Sequence, residues 1–133
     1  MPLSGLLDVA GLIYDTGALI AAEAGDATMW RMHRAALEAP PVVPASVIAQ
    51  AWRNGAKQAL LARFLHGCDR VDFTSHEAYA VGELLAVAGT TDVVDAAVVL
   101  LTARRGDIVV TSDAQDLTHL AAALGIRIVS RAI

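Results

Sequence analysis

The chain has 133 residues, 56% of them hydrophobic and 18% charged, with a formal net charge of −4. That length suits one domain, residues 1–133, with a sizeable core, and that composition excludes a disordered chain. No apolar run approaches the roughly 20 residues of a membrane span, no basic segment precedes an apolar N-terminal stretch, and the lone Cys68 cannot form an internal disulfide, so a cytoplasmic protein without membrane partners is expected.

Residues 1–10 show no clear period and read as a loose or partly helical lead-in. Gly11-Leu12-Ile13-Tyr14 is a short apolar run ending at Asp15, the pattern of a buried central strand. Thr16 to Ala24 reads as a helix stopped by Gly25, and Asp26 caps a second helix to about Glu38, ended by Ala39-Pro40-Pro41. Val42-Val43 is a second strand, with Pro44 where a first-turn helical proline belongs. From Ala45 to Trp52, positions 47, 48, 51 and 52 make one apolar stripe, with Ser46 and Gln50 on another face. Asn54-Gly55 breaks this helix and a further one runs to Leu65.

Val71 to Phe73 reads as a third strand. Thr74 and Glu77 form a capping box opening a helix with Val81, Leu84 and Leu85 inward. Thr91 is expected to cap the next helix, which Gly106 ends. Ile108 to Thr111 is a fourth strand, Asp113 to Leu124 a helix ended by Gly125, and Ile126 to Val129 a last strand. Short apolar strands alternating with helices predict an α/β fold with a mostly parallel sheet of four to five strands. Ligands of such sheets bind beyond the carboxyl ends of the strands, where Asp15 and Asp113 both fall.

The stretch Val93 to Ala103 is apolar on every helical face except for Asp95 and Thr102, which marks a buried helix. An unpaired buried carboxylate costs several kcal/mol or takes up a proton, so Asp95 needs a partner. Asp92 lies in the same first turn, and Asp113 and Asp116 follow the fourth strand. Asp15 and Asp113 also stand where helix caps stand, and Asp92 where the helix dipole favours any carboxylate. Gathered in one pocket, these acids would repel one another unless a cation lay between them, and carboxylate oxygens suit Mg²⁺ or Mn²⁺. Such an ion activates water and polarises phosphate, which makes a phosphodiester the natural substrate class. Setting these five aspartates aside leaves nine acidic residues against ten basic ones, nine of them arginine, a balance that permits an RNA substrate.

Four segments, Y-D-T-G-A-L-I-A at 14–21, P-A-S-V-I-A-Q-A-W at 44–52, D-V-V-D-A-A at 92–97 and V-V-T-S-D-A-Q-D-L at 109–117, resemble in order and spacing those of PIN domains. Within that superfamily the chain is similar to the short VapC-type toxin ribonucleases of bacteria. The resemblance implies a three-layer α/β/α sandwich, a Mg²⁺- or Mn²⁺-dependent endoribonuclease, a homodimer, and a small antitoxin partner. It puts Asp15, Asp95 and Asp113 at the family's first, third and fourth acids, with Asp92 and Asp116 as accessory acids. Gln50 stands where the family has a glutamate, and brings no charge, so metal affinity should fall. Thr111 and Ser112 resemble hydroxyl residues that bind phosphate or a metal water, and Thr16 adds a third hydroxyl beside Asp15.

Arg53 and Lys57, four residues apart, would make a small basic patch for substrate if helical. His33, His66, His76 and His119 show no ligand spacing and read as surface or cap residues. Trp30 and Trp52 fall on apolar helical stripes and read as core or partner-groove residues. Asp15-Thr16-Gly17 also resembles an aspartic-protease loop, but those enzymes are all-β. A receiver-type signalling domain needs a late lysine, and Lys57 is the only lysine. The remaining alternative is a PIN-like module that has lost catalysis and works by binding RNA or a protein.

Overall fold

The computed structural model describes residues 11–36 and 39–133. The expected lead-in over residues 1–10 and the expected helix end at Glu38 lie outside the described residues. Five short strands, Leu12–Tyr14 (β1), Val42–Pro44 (β2), Asp69–Val71 (β3), Ile108–Thr111 (β4) and Ser130–Ala132 (β5), form one sheet in the order β3-β2-β1-β4-β5. Every pairing is parallel. The three inner strands are the near-continuous apolar runs that burial on both faces demands, while β3 and β5, at the edges, are exposed along most of their length.

Among the described residues seven α-helices alternate with the strands: Thr16–Glu23 (α1), Ala27–Ala35 (α2), Ala45–Ala51 (α3), Ala59–His66 (α4), Ser75–Ala88 (α5), Val93–Arg105 (α6) and Ala114–Ala123 (α7). One group packs α1 against α2 and α4, another packs α5, α6 and α7 together, and α3 touches both α1 and α6. The result is the expected three-layer α/β/α arrangement. Among the described residues no single helix is long and apolar enough to cross a membrane.

The local signals act as the chemistry dictates. Asp26 caps α2 by accepting from Met29 N–H at 2.8 Å, and Thr74 caps α5 by accepting from Glu77 N–H at 3.2 Å. Gly89 and Gly106 end α5 and α6 in the left-handed region, at φ 72° and 75°, where a Cβ would be strained. Within α6 the Thr102 hydroxyl donates to Val98 O at 2.8 Å, so this polar group is satisfied without leaving the buried helix.

Four expectations need correcting. The third strand lies at 69–71 rather than 71–73, because pairing with β2 sets its register (Val42 opposite Asp69, Pro44 opposite Val71) and Asp69 N–H donates to Pro41 O at 2.8 Å. The last strand lies at 130–132 rather than 126–129, since Val109 pairs with Ser130, and Ile126 and Ile128 pack half-buried on the core instead. The cap of α6 is Asp92, not Thr91: its Oδ1 accepts from Asp95 N–H at 2.9 Å.

His33 is no surface residue. It is 4% exposed, stacked on Phe64 with ring centroids 4.1 Å apart, and its Nδ1 is 3.0 Å from the Tyr14 hydroxyl. An amphipathic ring can join a core when both its polar atoms find partners. Burial first, and the Arg34 charge second, hold its pKa below the ordinary histidine value.

Candidate metal centre

The carboxyl ends of β1 and β4 bring Asp15 and Asp113 to one end of the sheet, and the first turn of α6 brings Asp92 and Asp95 to the same place. Asp15 is almost fully buried, and donors occupy both its oxygens. Oδ1 accepts from Thr16 N–H at 2.7 Å, and Oδ2 accepts from the Thr111 hydroxyl at 2.9 Å. The Thr111 oxygen in turn accepts from Asp113 N–H at 2.8 Å. One buried hydroxyl therefore ties the end of β1 to the turn that carries Asp113. The first turn of α1 approaches the turn after β4 closely here, and Gly17 permits it: a Cβ on that residue would run into Ser112 Oγ and stand 3.2 Å from the Ser112 backbone nitrogen.

Asp95 sits one turn into α6 and is 8% exposed. Among the described residues its carboxylate accepts no hydrogen bond and meets no cation. Its oxygens face those of Asp113 and Asp116, so that one ligand atom from each of the three lies within 4.8 Å of the others. Asp113 and Asp116 are exposed, which leaves the cluster open to solvent on one side. Burial, then the charges of Asp92, Asp15, Asp113 and Asp116, push the Asp95 carboxyl up to about 7. Asp113 is also raised, by the loss of water around it and then by the neighbouring Asp116 carboxyl.

Asp15 and Asp92 thus stand beside the trio rather than in it, close enough to act on Asp95 through their charge. Asp113 precedes α7 but makes no side-chain cap, so helix capping does not account for it. Gln50, exposed on α3, accepts from the Thr16 hydroxyl through Oε1 at 2.5 Å. Ser112 presents an exposed hydroxyl against Gly17.

Arg53 and Lys57 are not a turn apart on a helix. Arg53 lies beyond the end of α3, and its guanidinium donates to Ala49 O at 2.9 Å and Trp52 O at 2.7 Å, while Lys57 ends a short 3₁₀ turn over Gly55–Lys57. Asn54 caps that turn, and the segment is tied back by Gln58, which sequence reasoning missed. Its buried amide accepts from Arg53 N–H at 2.8 Å and Asn54 N–H at 2.9 Å, and donates to Ala51 O at 3.0 Å and to Glu23.

No protein-family model matches the chain, and no curated protein matches it in sequence. Solved structures do match it in shape. The structure of VapBC2 from Rickettsia felis, bound to a DNA fragment from their promoter, superposes with a TM-score of 0.63 at 13% identity, over 92% of this chain and 98% of that one. The structure of PAE2754 from Pyrobaculum aerophilum superposes with a TM-score of 0.62 at 16% identity, over 92% and 83%. This is a PIN-like fold. At such identities the likeness is one of fold, and the architecture expected from the four sequence segments is the one found.

A divalent ion fits the donors of this site. The trio offers only carboxylate oxygens, the ligands that hard cations take. It also contains a buried carboxylate with no other partner. The residues that would hold Mg²⁺ or Mn²⁺ are Asp95, Asp113 and Asp116, with Asp15 and Asp92 adding negative charge alongside.

Proposed function

We propose that this PIN-like protein is a Mg²⁺- or Mn²⁺-dependent endoribonuclease and the toxin of a toxin–antitoxin pair. The observation that carries the reading is the buried, unpartnered Asp95 carboxylate facing Asp113 and Asp116 at the carboxyl end of a parallel sheet. Buried polar groups kept only for structure are mostly satisfied, whereas the Asp95 carboxylate has neither a hydrogen bond nor an ion pair among the described residues. When bound, the ion supplies Lewis-acid polarisation of a phosphate oxygen and eases ionisation of water. The chain's own residues do the rest. Asp15 and Thr111 fix the spacing of the acids. Asp92 keeps one oxygen free of its cap, and we assign it the proton of the attacking water. Ser112 offers its hydroxyl to the scissile phosphate, and Arg53 and Lys57 offer positive charge to the flanking strand.

A protein partner is supported by a second surface. A cavity of about 540 Å³ opens between α2 and α4, lined by Gly25, Ala27, Trp30, Arg34, Leu60 and Arg63. Neither arginine makes an ion pair among the described residues. A tryptophan floor between two guanidiniums suits a small antitoxin segment bearing an apolar anchor and carboxylates. The Rickettsia felis VapBC2 structure, a two-component assembly bound to promoter DNA, supports a pair of this kind, and a homodimer is the assembly we assign.

The test is the Asp95→Asn variant, purified free of partner and set against the parent in Mn²⁺ titration and RNA cleavage. We expect Mn²⁺ binding and cleavage to vanish while the circular dichroism spectrum is retained; undiminished cleavage in the variant overturns the mechanism. One observation favours a second reading, a non-catalytic module that binds RNA or protein: the neutral Gln50 tied to Thr16. A parent that binds no Mn²⁺ would select it.

A further inference from the structure

The edge strand β5 is open on the face that looks toward α1, and that opening runs up to the turn carrying Asp113. Resting on the ribonuclease reading above, we propose that this face cradles one flank of a single-stranded RNA substrate, with Arg131 holding a phosphate beside the scissile one.

The register of the sheet places Arg131. Tyr14 pairs with Val110, and Val110 with Arg131. Residues so paired point to one face of a sheet. Tyr14 shows which face: its ring stacks on Phe64 of α4, and its hydroxyl meets His33 of α2. Arg131 therefore points to the side that carries α1, α2 and α4, and it is exposed there. Val129 and Ile133 share that face by alternation, 65% and 43% exposed. Neighbouring strands lie about 4.8 Å apart and rise about 3.3 Å per residue, which puts the Arg131 backbone roughly 8 Å from that of Ser112. Ser112 immediately precedes Asp113.

The other wall is α1. Gly17 lies against Ser112, and Ile20, three residues along and 58% exposed, is on the same flank of the helix. The trough between α1 and β5 thus carries exposed aliphatic side chains and one guanidinium, and it opens at Ser112. Charge selects the occupant. An RNA flank is polyanionic and the aspartates of the cluster repel it, so cations must stand just outside them. Arg131 makes no ion pair among the described residues, and its planar fork of donors suits a phosphate. The aliphatic groups beside it give a base an apolar surface to rest on. Arg53 and Lys57 follow α3, which continues β2 on the far side of β1 from β4. The RNA strand therefore crosses the carboxyl end of the sheet between two cationic flanks.

The test compares the full chain with its Arg131→Ala, Arg131→Lys and Arg127→Ala variants, all at exposed positions. Arg127 is the control, a cation of equal charge beside Gly106 at the opposite end of the sheet. Cleavage of a short single-stranded RNA in Mn²⁺ gives KM and kcat, and fluorescence anisotropy on the metal-free protein gives affinity against salt. We expect Arg131→Ala to raise KM about fivefold, to keep kcat, and to lower the log–log salt slope by about 0.7, the share of one phosphate. Arg131→Lys should keep the slope, and Arg127→Ala should match the parent. Equal losses in Arg127→Ala and Arg131→Ala would overturn the cradle in favour of diffuse attraction. Unchanged KM and slope in Arg131→Ala, with the parent active, would also overturn it and leave the open edge to a protein strand. A parent that binds Mn²⁺ but neither binds nor cleaves RNA would overturn the ribonuclease reading itself.

Discussion

Asp95 concentrates the chemistry of the chain in one side chain, and its proton should report on the whole cluster. Its folded-state pKa, about 7, lies above the ordinary 3.8. A raised acid holds its proton more tightly in the folded state, so its contribution to stability is complete below pH 4 and is lost as pH rises through 7. Allowing for water on the open side of the cluster, the loss is on the order of 2 kcal/mol. Urea denaturation of the metal-free protein should show that decline between about pH 4 and 7, and Asp95→Asn should remove it. A decline of equal size in the variant would assign it to another group.

Thr111 is the other residue on which the site's geometry turns. In Thr111→Val the shape is kept, but Asp15 Oδ2 and Asp113 N–H lose their partner, at a cost of about 1–3 kcal/mol in denaturant unfolding, with weaker Mn²⁺ binding. Unchanged stability and binding would remove Thr111 from the scaffold.

Of these residues, Asp95 was legible in the sequence because a lone carboxylate in an all-apolar helix must find a proton, a donor or a cation wherever the helix is buried. Asp116 was legible only as one more acid near Asp113. The separation of Asp15 from the trio was not legible at all, because it depends on where the Thr111 hydroxyl and Thr16 N–H point. Gly17 did leave a signal: a glycine in the first turn of an otherwise strong helix former costs about 1 kcal/mol, which calls for a close neighbour.

Among the elements, the loop between α3 and α4 hangs on the one side chain of Gln58. Replacement by leucine would strand two backbone N–H groups and a carbonyl in a part-buried place. We expect Gln58→Leu to lose about 2–4 kcal/mol, read from urea midpoints, and to free the 52–57 segment for rapid proteolysis. A resistant loop would show that Arg53, by bonding the last carbonyls of α3, holds the segment by itself. Nothing in the sequence sets Gln58 apart from an exposed glutamine, because its role comes from a turn that folds back over it. The edge strands were displaced for a related reason. Val71 to Phe73 and Ile126 to Val129 have the better strand composition, but partners already fixed in the sheet decide which residues pair, and β3 and β5 are largely polar.

For the molecule as a whole, cation and proton should compete. Mn²⁺ needs Asp95 ionised, and so should raise the melting temperature little at pH 5 and several degrees at pH 8, with thermal scans at fixed Mn²⁺ as the measurement. His33 works in the opposite direction from Asp95. Its lowered pKa makes stability rise with pH up to about 6.5 whether or not metal is present, so a Mn²⁺ effect that is the same at both pH values would rule out Asp95 as a ligand.

The α/β alternation was plain from period and punctuation alone, and so was the end of the sheet that carries the acids. The order of strands was not, since it rests on contacts between distant segments. One of those contacts has a bearing on biosynthesis. The hydrogen bond from Thr111 to Asp15 spans 96 positions of the chain, and β1, the earliest of the described strands, lies between two that follow it in the chain. Until β4 and the start of α7 have emerged, Asp15 has no Thr111 and Asp95 has neither Asp113 nor Asp116. A chain still lacking β4 and the start of α7 therefore has no assembled acid cluster.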